Sequence, residues 1–372
     1  MPKVIVVGGF LGAGKTSLIL RTASLLRRKG LRVGIVTNDQ SSELVDTRMA
    51  TAMGFDVGEV AGGCFCCRFD DLISEFDRIE RAAAVDVIFA EPVGSCTDII
   101  ATVIRPLAQM SGVRFPTSPF SVVVDPTRDL SDLNELVGYL YRRQLAEADV
   151  VVVSKTDLVP NGIEVIKKRY SGVLPERAVI GISTVTGIGI DFWLQTMLGQ
   201  EVQEHSDLAL DYEKYAQAEA ALGWLNLSAD WYSDREIGLM EVAEVLLKKL
   251  QEGLFNASLK TAHVKIMLSS ANGEIKGSFV SNRGPLVWET EGARPESSSG
   301  NLVLNARAEG AAENLSNAVK ETLALGSRDL GINLSIKRLD CFSPKPPRPT
   351  HRLNHSGASI PLSELQVDLR RH

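Results

Sequence analysis

The chain has 372 residues, 44% of them hydrophobic and 23% charged, with a formal net charge of -6. That is the composition of an ordinary folded protein long enough for two domains, and the lack of a basic excess argues against nucleic acid or an anionic membrane as partner. The opening apolar run carries no basic leader or cleavage site, and no apolar run approaches the ~18 residues of a membrane span, so a cytoplasmic location is expected.

The first half reads as alternating strands and helices. "KVIVVGG" is a continuous β-branched run, followed by "GGFLGAGKTS" and a helical pattern over 16–29. Gly9, four residues, then Gly14, Lys15 and Thr16 form the phosphate-loop pattern in its required context, between a strand and a helix. Gly9, Gly12, Ala13 and Gly14 let backbone N–H groups approach phosphates, together with the amides of the helix start up to Ser17. Lys15 meets the β and γ oxygens, and the Thr16 hydroxyl ligates Mg²⁺.

"RVGIVTND" is the second strand and ends at Asp39. "VDVIFAEPVG" is the third and ends at Glu91, with Gly94 placed for a backbone amide to sense the γ-phosphate. Strand-end carboxylates beside a phosphate loop hold Mg²⁺ directly or through water, so Asp39 and Glu91 join Lys15 and Thr16 as the expected catalytic set. "FSVVVDP", "ADVVVVSKTD" and "AVIGIS" complete the strands, with helices expected over 70–84, 132–147 and 163–171. Continuous apolar strands separated by helices predict an α/β fold, a mostly parallel sheet with ligands at the carboxyl ends of its strands.

"SKTD" decides the nucleotide. Ser154, Lys155 and Asp157 stand one substitution from the Asn-Lys-x-Asp pattern of guanine recognition. Asp157 would accept from the guanine N1–H and N2–H₂, and the Lys155 stem would pack over the base. "ISTVTG", from Ser183, offers a backbone N–H for the guanine O6. GTP or GDP is therefore the expected nucleotide, with discrimination weakened because Ser154 is shorter than asparagine.

After residue 199 the texture changes. The expected organisation is a phosphate-loop domain with a metal-binding switch loop over 1–199, a linker over 200–222, a smaller α+β domain over 223–342 and a Pro-rich basic tail over 343–372. Helices are expected over 237–252 and 311–325, among strands such as "TAHVKIMLS", "IKGSFVSN", "NLVLNARAE" and "INLSIKRLD". Because this half has no nucleotide motif, its sheet and the tail residues Lys345, Arg348 and Arg352 are expected either to help form a docking surface for a client or to act as a packing lid that only stabilises the GTPase.

Between the second and third strands lies "AGGCFCCRFDD", with Cys64, Cys66 and Cys67. In a reducing compartment five cysteines are ligands, reactive groups or core residues rather than disulfides, and Cys96 and Cys341 read as packing residues. Thiolates suit Zn²⁺, and three of them leave one coordination position open. In an extended segment Cys67 would face away from Cys64 and Cys66; Gly62 and Gly63 permit the turn that brings them together. A closed structural zinc site with a distant fourth ligand and redox-active thiols are the other readings. Asp39, Glu43 and Glu59 are candidate extra ligands.

"GGFLGAGKTS", "GGCFCC", "EPVG", "SKTD" and "AHVKIML" together resemble the CobW-like metallochaperone GTPases, relatives of the GTPases that insert nickel into urease and hydrogenase. "TNDQSSE" stands where many members have Asn-Glu-x-Gly, Ser154 replaces an asparagine, and there is no His-rich run. The resemblance implies a Mg²⁺-dependent GTPase that loads Zn²⁺, or Co²⁺, at Cys64, Cys66 and Cys67 and delivers it to a client metalloprotein, with a homodimer allowed. A small-molecule kinase and a nucleotide-dependent zinc-sensing switch are the alternatives.

Overall fold

The structure, a computed structural model, describes residues 1–39, 45, 50–51, 53–110, 114–128, 133–174, 178–199, 207–289 and 295–360. Its first half is a parallel sheet of seven strands in the order β3-β2-β4-β1-β5-β6-β7. The strands are β1 Lys3–Gly9, β2 Val33–Asp39, β3 Asp56–Ala61, β4 Val87–Glu91, β5 Ser121–Val124, β6 Val150–Val153 and β7 Ala178–Gly181. The central β1 is buried along Val4–Val7, as a strand covered on both faces must be. It lies between β4 and β5, where the strand order reverses, and the loop that follows it opens at the crevice where such sheets bind ligands.

The strand absent from the sequence reading is β3. It lies at the sheet edge, and its "DVGEVA" interleaves exposed and buried positions, so it shows none of the continuous apolar signal of the inner strands. Helices α1 Lys15–Arg28, α2 Phe69–Ala83, α4 Glu135–Glu147, α5 Gly162–Arg169 and α6 Ile190–Gly199 cover the two faces, with α3 Arg105–Met110 continuing a π-helical turn at Ile100–Ile104. In α2 the apolar side chains Phe69, Leu72, Phe76 and Ile79 recur at helical spacing and are buried, while Asp70 and Asp71 favour the positive N-terminus. Each such burial contributes about 1.5–3 kcal/mol. The Asn134 side chain caps α4 by accepting from the Val137 N–H, which sets that helix start later than 132.

The second half begins with α7 Tyr212–Ala220 and then builds an antiparallel sheet of six strands in the order β11-β10-β9-β12-β8-β13. These are β8 Leu222–Gly238, β9 Lys260–Ser270, β10 Gly273–Phe279, β11 Val287–Glu289, β12 Glu296–Glu309 and β13 Ile332–Phe342. One face packs Leu225, Leu227, Val264, Ile266, Leu302 and Leu304 against helices α8 Leu239–Asn256 and α9 Ala312–Leu330. Helix α8 starts later than 237 because Ile237 still pairs with Ser297 in the sheet. Helix α9 runs past 325 until Gly331, whose φ of 65° ends it. The other face of the sheet turns toward the parallel sheet, and Trp224 and Ala262 join the core that also holds Phe10, Leu11 and Phe65. No helix among the described residues is long and apolar enough to cross a membrane.

Candidate functional site

The loop after β1 needs its glycines. A Cβ on Gly9, at φ 131°, would lie 2.3 Å from the Val123 carbonyl oxygen, and Gly14 starts α1 at φ 100°. Lys15 Nζ lies 3.4 Å from the Phe10 carbonyl oxygen and 3.7 Å from Glu91 Oε1. The Thr16 hydroxyl donates to the Glu91 carboxylate, 3.0 Å from Oε1 and 2.9 Å from Oε2. Two hard oxygen donors thus meet beside the lysine, the donor set that Mg²⁺ takes. Gly94 approaches the loop so closely that a Cβ there would lie 2.9 Å from the Leu11 side chain.

Gly12, Gly14, Lys15, Thr16, Ser17, Glu91 and Gly94 line one cavity together with Ser154, Lys155 and Asp157. The Ser154 hydroxyl lies 2.8 Å from the Ala13 carbonyl oxygen and 3.0 Å from that of Val124, so this short side chain does reach the phosphate loop. Lys155, at φ 54°, holds Asp125 Oδ2 at 2.5 Å, and Asp157 is exposed at the cavity rim. Ser183 is fully buried, and its N–H is taken by the Ile188 carbonyl at 3.0 Å. The residues of that segment that line the cavity are Thr184 and Val185. Gly9 and Ala13 are not in the lining; they shape the loop from behind.

The second cluster lies on the loop after β3. The Cys67 and Arg68 N–H groups both bond to the Cys64 carbonyl at 3.0 Å, a turn that carries Cys67 round to its neighbours. Cys64 Sγ is 2.7 Å from Cys66 Sγ and 3.1 Å from Cys67 Sγ, and Cys66 and Cys67 are 3.8 Å apart. Among the described residues, these are the ligand atoms that group within 4.8 Å of one another; Glu59 is not with them. Glu43 and the side chain of Asp39 lie outside the described residues. A tetrahedral Zn²⁺ with Zn–S of ~2.3 Å separates its sulfurs by about 3.8 Å, so the trio needs to open by at most about 1 Å.

Cys96, read from the sequence as a packing residue, faces the same cluster. Hydrogen bonds from the thiols of Cys66, Cys67 and Cys96 hold Cys64 well below the usual cysteine range. The same contacts push those three up, Cys67 to about 12. Burial pushes Glu219 on α7 up to about 8, with the charge of Cys64 adding to it, and the Ser95 hydroxyl donates to that carboxyl at 2.6 Å.

The tail is extended, as expected, and it lies against the thiol loop. The Arg348 N–H donates to Cys67 Sγ at 3.1 Å, the Thr350 N–H to the Cys66 carbonyl at 2.8 Å, and Arg352 Nε to Asp98 Oδ2 at 2.7 Å. With its guanidinium in that mostly buried pair, Arg352 is not part of an open docking surface.

Asn38 ties the two clusters together. It is 8% exposed and lines the cavity. Its Nδ2 donates to the carbonyls of Val60 at 2.8 Å and Gly63 at 2.7 Å, and its Oδ1 accepts from the Phe65 N–H at 2.8 Å. The sequence reading passed over this residue for the aspartate beside it. Its position at the end of a strand was the available signal.

Residues 3–180 match the nucleotide-binding domain described as CobW/HypB/UreG. The chain is 29% identical over 197 residues to the zinc chaperone CobW of Sinorhizobium sp, covering 45% of this chain and 54% of that protein. It is 30% identical over 178 residues to the zinc-regulated GTPase metalloprotein activator 1 of Schizosaccharomyces pombe, covering 42% of this chain and 39% of that protein. The matches therefore span about half the length of these relatives or less. The Zn(II)-bound YjiA GTPase from E. coli aligns with 87% of this chain and 98% of its own, at 15% identity and a TM-score of 0.35.

Proposed function

We propose that this chain, whose residues 3–180 match the CobW/HypB/UreG nucleotide-binding domain, is a Mg²⁺-dependent GTPase. It carries Zn²⁺, or a similar cation such as Co²⁺, on Cys64, Cys66 and Cys67 and hands it to a client protein. The observation that carries the reading is Asn38, a single buried side chain that lines the nucleotide cavity and holds the turn leading to the thiols.

In this reading Lys15 and the amides of Gly12 to Ser17 hold the phosphates, with Gly94 beside them. Asp157 and Lys155 read the base, and Ser154 braces the loop through Ala13. Thr16 and Glu91, with Asp39 as a further candidate, would hold Mg²⁺, which when bound neutralises phosphate charge. Hydrolysis proceeds by positioning and charge stabilisation, with water as nucleophile. The cargo metal displaces the protons of the thiols, and the open fourth position allows its release.

The test is a zinc titration of the full chain with and without a non-hydrolysable GTP analogue. The analogue changes zinc affinity, and zinc changes analogue affinity by the same factor, a coupling of ~1–3 kcal/mol. Cys66→Ser weakens zinc binding and erases the coupling but spares metal-free GTP affinity; Lys15→Ala does the converse. GTP binds in preference to ATP, and Asp157→Asn narrows that preference. Identical zinc affinities with and without the analogue would make the triplet a structural clasp and end the chaperone reading.

A further inference from the structure

After β13 the tail crosses the thiol loop and is then pinned to the segment that follows β4. Leu353 is 5% exposed; its N–H donates to the Ala101 carbonyl at 2.9 Å, and its own carbonyl accepts from Arg105 Nη1 at 2.9 Å. Arg352 Nε donates to Asp98 Oδ2 in a pair whose side chains are both mostly buried. The strap is therefore fixed just beyond the point where it meets the cysteines.

Its sequence leaves it few ways to hold a sulfur. In "KPPRPT", residues 345–350, Pro346, Pro347 and Pro349 have no backbone N–H, so Arg348 carries the only amide donor between Lys345 and Thr350. That N–H goes to Cys67 Sγ at 3.1 Å. The next one, on Thr350, goes to the Cys66 carbonyl at 2.8 Å, and the Thr350 hydroxyl goes to the Cys67 carbonyl at 3.3 Å. These two bonds set the register of the strap on the loop. Arg348 is itself exposed, and its contact with the sulfur belongs to the backbone.

The contact lies at the accessible side of the trio. Cys64 and Cys66 are buried, and Cys67 is only half-buried. A neutral thiol sulfur is a weak acceptor, whereas a sulfur that binds a metal does so as a thiolate, and hydrogen bonds to charged acceptors are roughly twice as strong. The Arg348 N–H is thus held more tightly when a cation occupies the trio, and by linkage it holds the cation more tightly in return. Outer partners of metal ligands change metal affinity by about 10–100-fold when they are lost.

We propose that the tail is part of the metal site: Arg348 is a positioning residue whose backbone N–H braces the Cys67 thiolate, and cargo binding draws the strap down over the trio. The inference rests on the reading that the thiols carry a metal. It adds that the far end of the chain, and not the thiol loop alone, sets how firmly the cargo is held.

The test uses the full chain and two variants of one residue. Arg348→Ala removes the side chain and keeps the N–H; Arg348→Pro removes the N–H and extends the proline run. Zinc affinity and the rate of zinc transfer are read against a chromophoric chelator, and the thiolate-to-metal charge-transfer band is read in Co²⁺-loaded protein. Arg348→Ala should stay within about twofold of wild type, whereas Arg348→Pro should bind zinc about tenfold more weakly, lose it faster and alone shift the cobalt band. In wild type, hydrogen exchange at the Arg348 amide should be slower with zinc than without. That measurement needs no variant and decides the matter if Arg348→Pro unfolds. Equal zinc affinities and bands for the two folded variants, or exchange at Arg348 that zinc leaves unchanged, would overturn the inference. The carrier reading would still stand if wild type binds zinc and Cys66→Ser weakens that binding. Failure of wild type to bind zinc through its thiols would overturn both.

Discussion

Single side chains here work against their intrinsic preferences, and burial decides how. Glu219 illustrates this: removed from water beside the thiols, its carboxyl is pushed from 4.5 up to about 8. Between those values the native state keeps a proton that the unfolded chain has released. Stability from this group is therefore complete below pH ~4.5 and lost as pH rises toward 8. Glu147, pushed to about 8 by burial and then by the charge of Asp98, acts with the same sign. Glu219→Gln keeps an acceptor for Ser95 and removes the titration. In metal-free protein it should gain stability relative to wild type as pH rises from 5 to 8.5, by several degrees in unfolding temperature. Parallel curves for the two proteins would mean that Glu219 is already ionised in the native state.

At the level of elements, the thiol loop is held on three sides. Strand β3 delivers it, helix α2 leaves from it, and the tail crosses it, with the His351 ring edge-on to Phe69 at a centroid distance of 5.3 Å. The tail bonds are to Cys67 Sγ and to the Cys66 carbonyl, at the exposed side of the trio, since Cys67 alone of the three thiols is only half-buried. Deleting residues 343–372 should leave the two sheets folded and raise the rate of Cys67 alkylation severalfold, read by mass spectrometry of the labelled peptide. Equal rates would show that the tail does not screen the thiols, and that its contacts serve only to brace the segment around Asp98.

On the scale of the whole molecule, the two sheets act as one structure because the phosphate loop is packed between them. Gly12 reports that packing. At φ 74° a Cβ there costs ~1–2 kcal/mol from backbone strain alone, and it would also strike Val280 at 2.4 Å. Gly30, at φ 85°, has nothing within 4 Å of its would-be Cβ and so isolates the backbone share. Gly12→Ala should lower the unfolding temperature of the full chain by more than Gly30→Ala does. It should also weaken nucleotide binding, which Gly30→Ala should spare. If the two variants unfold at the same temperature, the sheet yields at that contact and the loop is not clamped.

What the sequence alone determined is what lies in short contiguous segments. The phosphate loop, Glu91 at a strand end, the Ser154–Asp157 turn and the thiol triplet each stand out through residue type and spacing, because a backbone turn of a few residues assembles each of them. That the inner strands run parallel was legible for the same reason, through continuous apolar runs that only a doubly covered strand can carry, whereas their order in the sheet was not. Other features were decided by contacts between residues far apart in the chain. Asn38 meets Gly63 across neighbouring strands, and Cys96 reaches Cys64 from the loop after the next one. The tail returns from the far end of the chain to Cys66 and Cys67, and the sheet face with Lys265, Lys276 and Arg307 takes its place over the phosphate loop. In sequence that face reads as the wet side of an amphipathic sheet. Only the docking of the two sheets turns it into a buried wall, because alternation says which side chains share a face but not what the face meets.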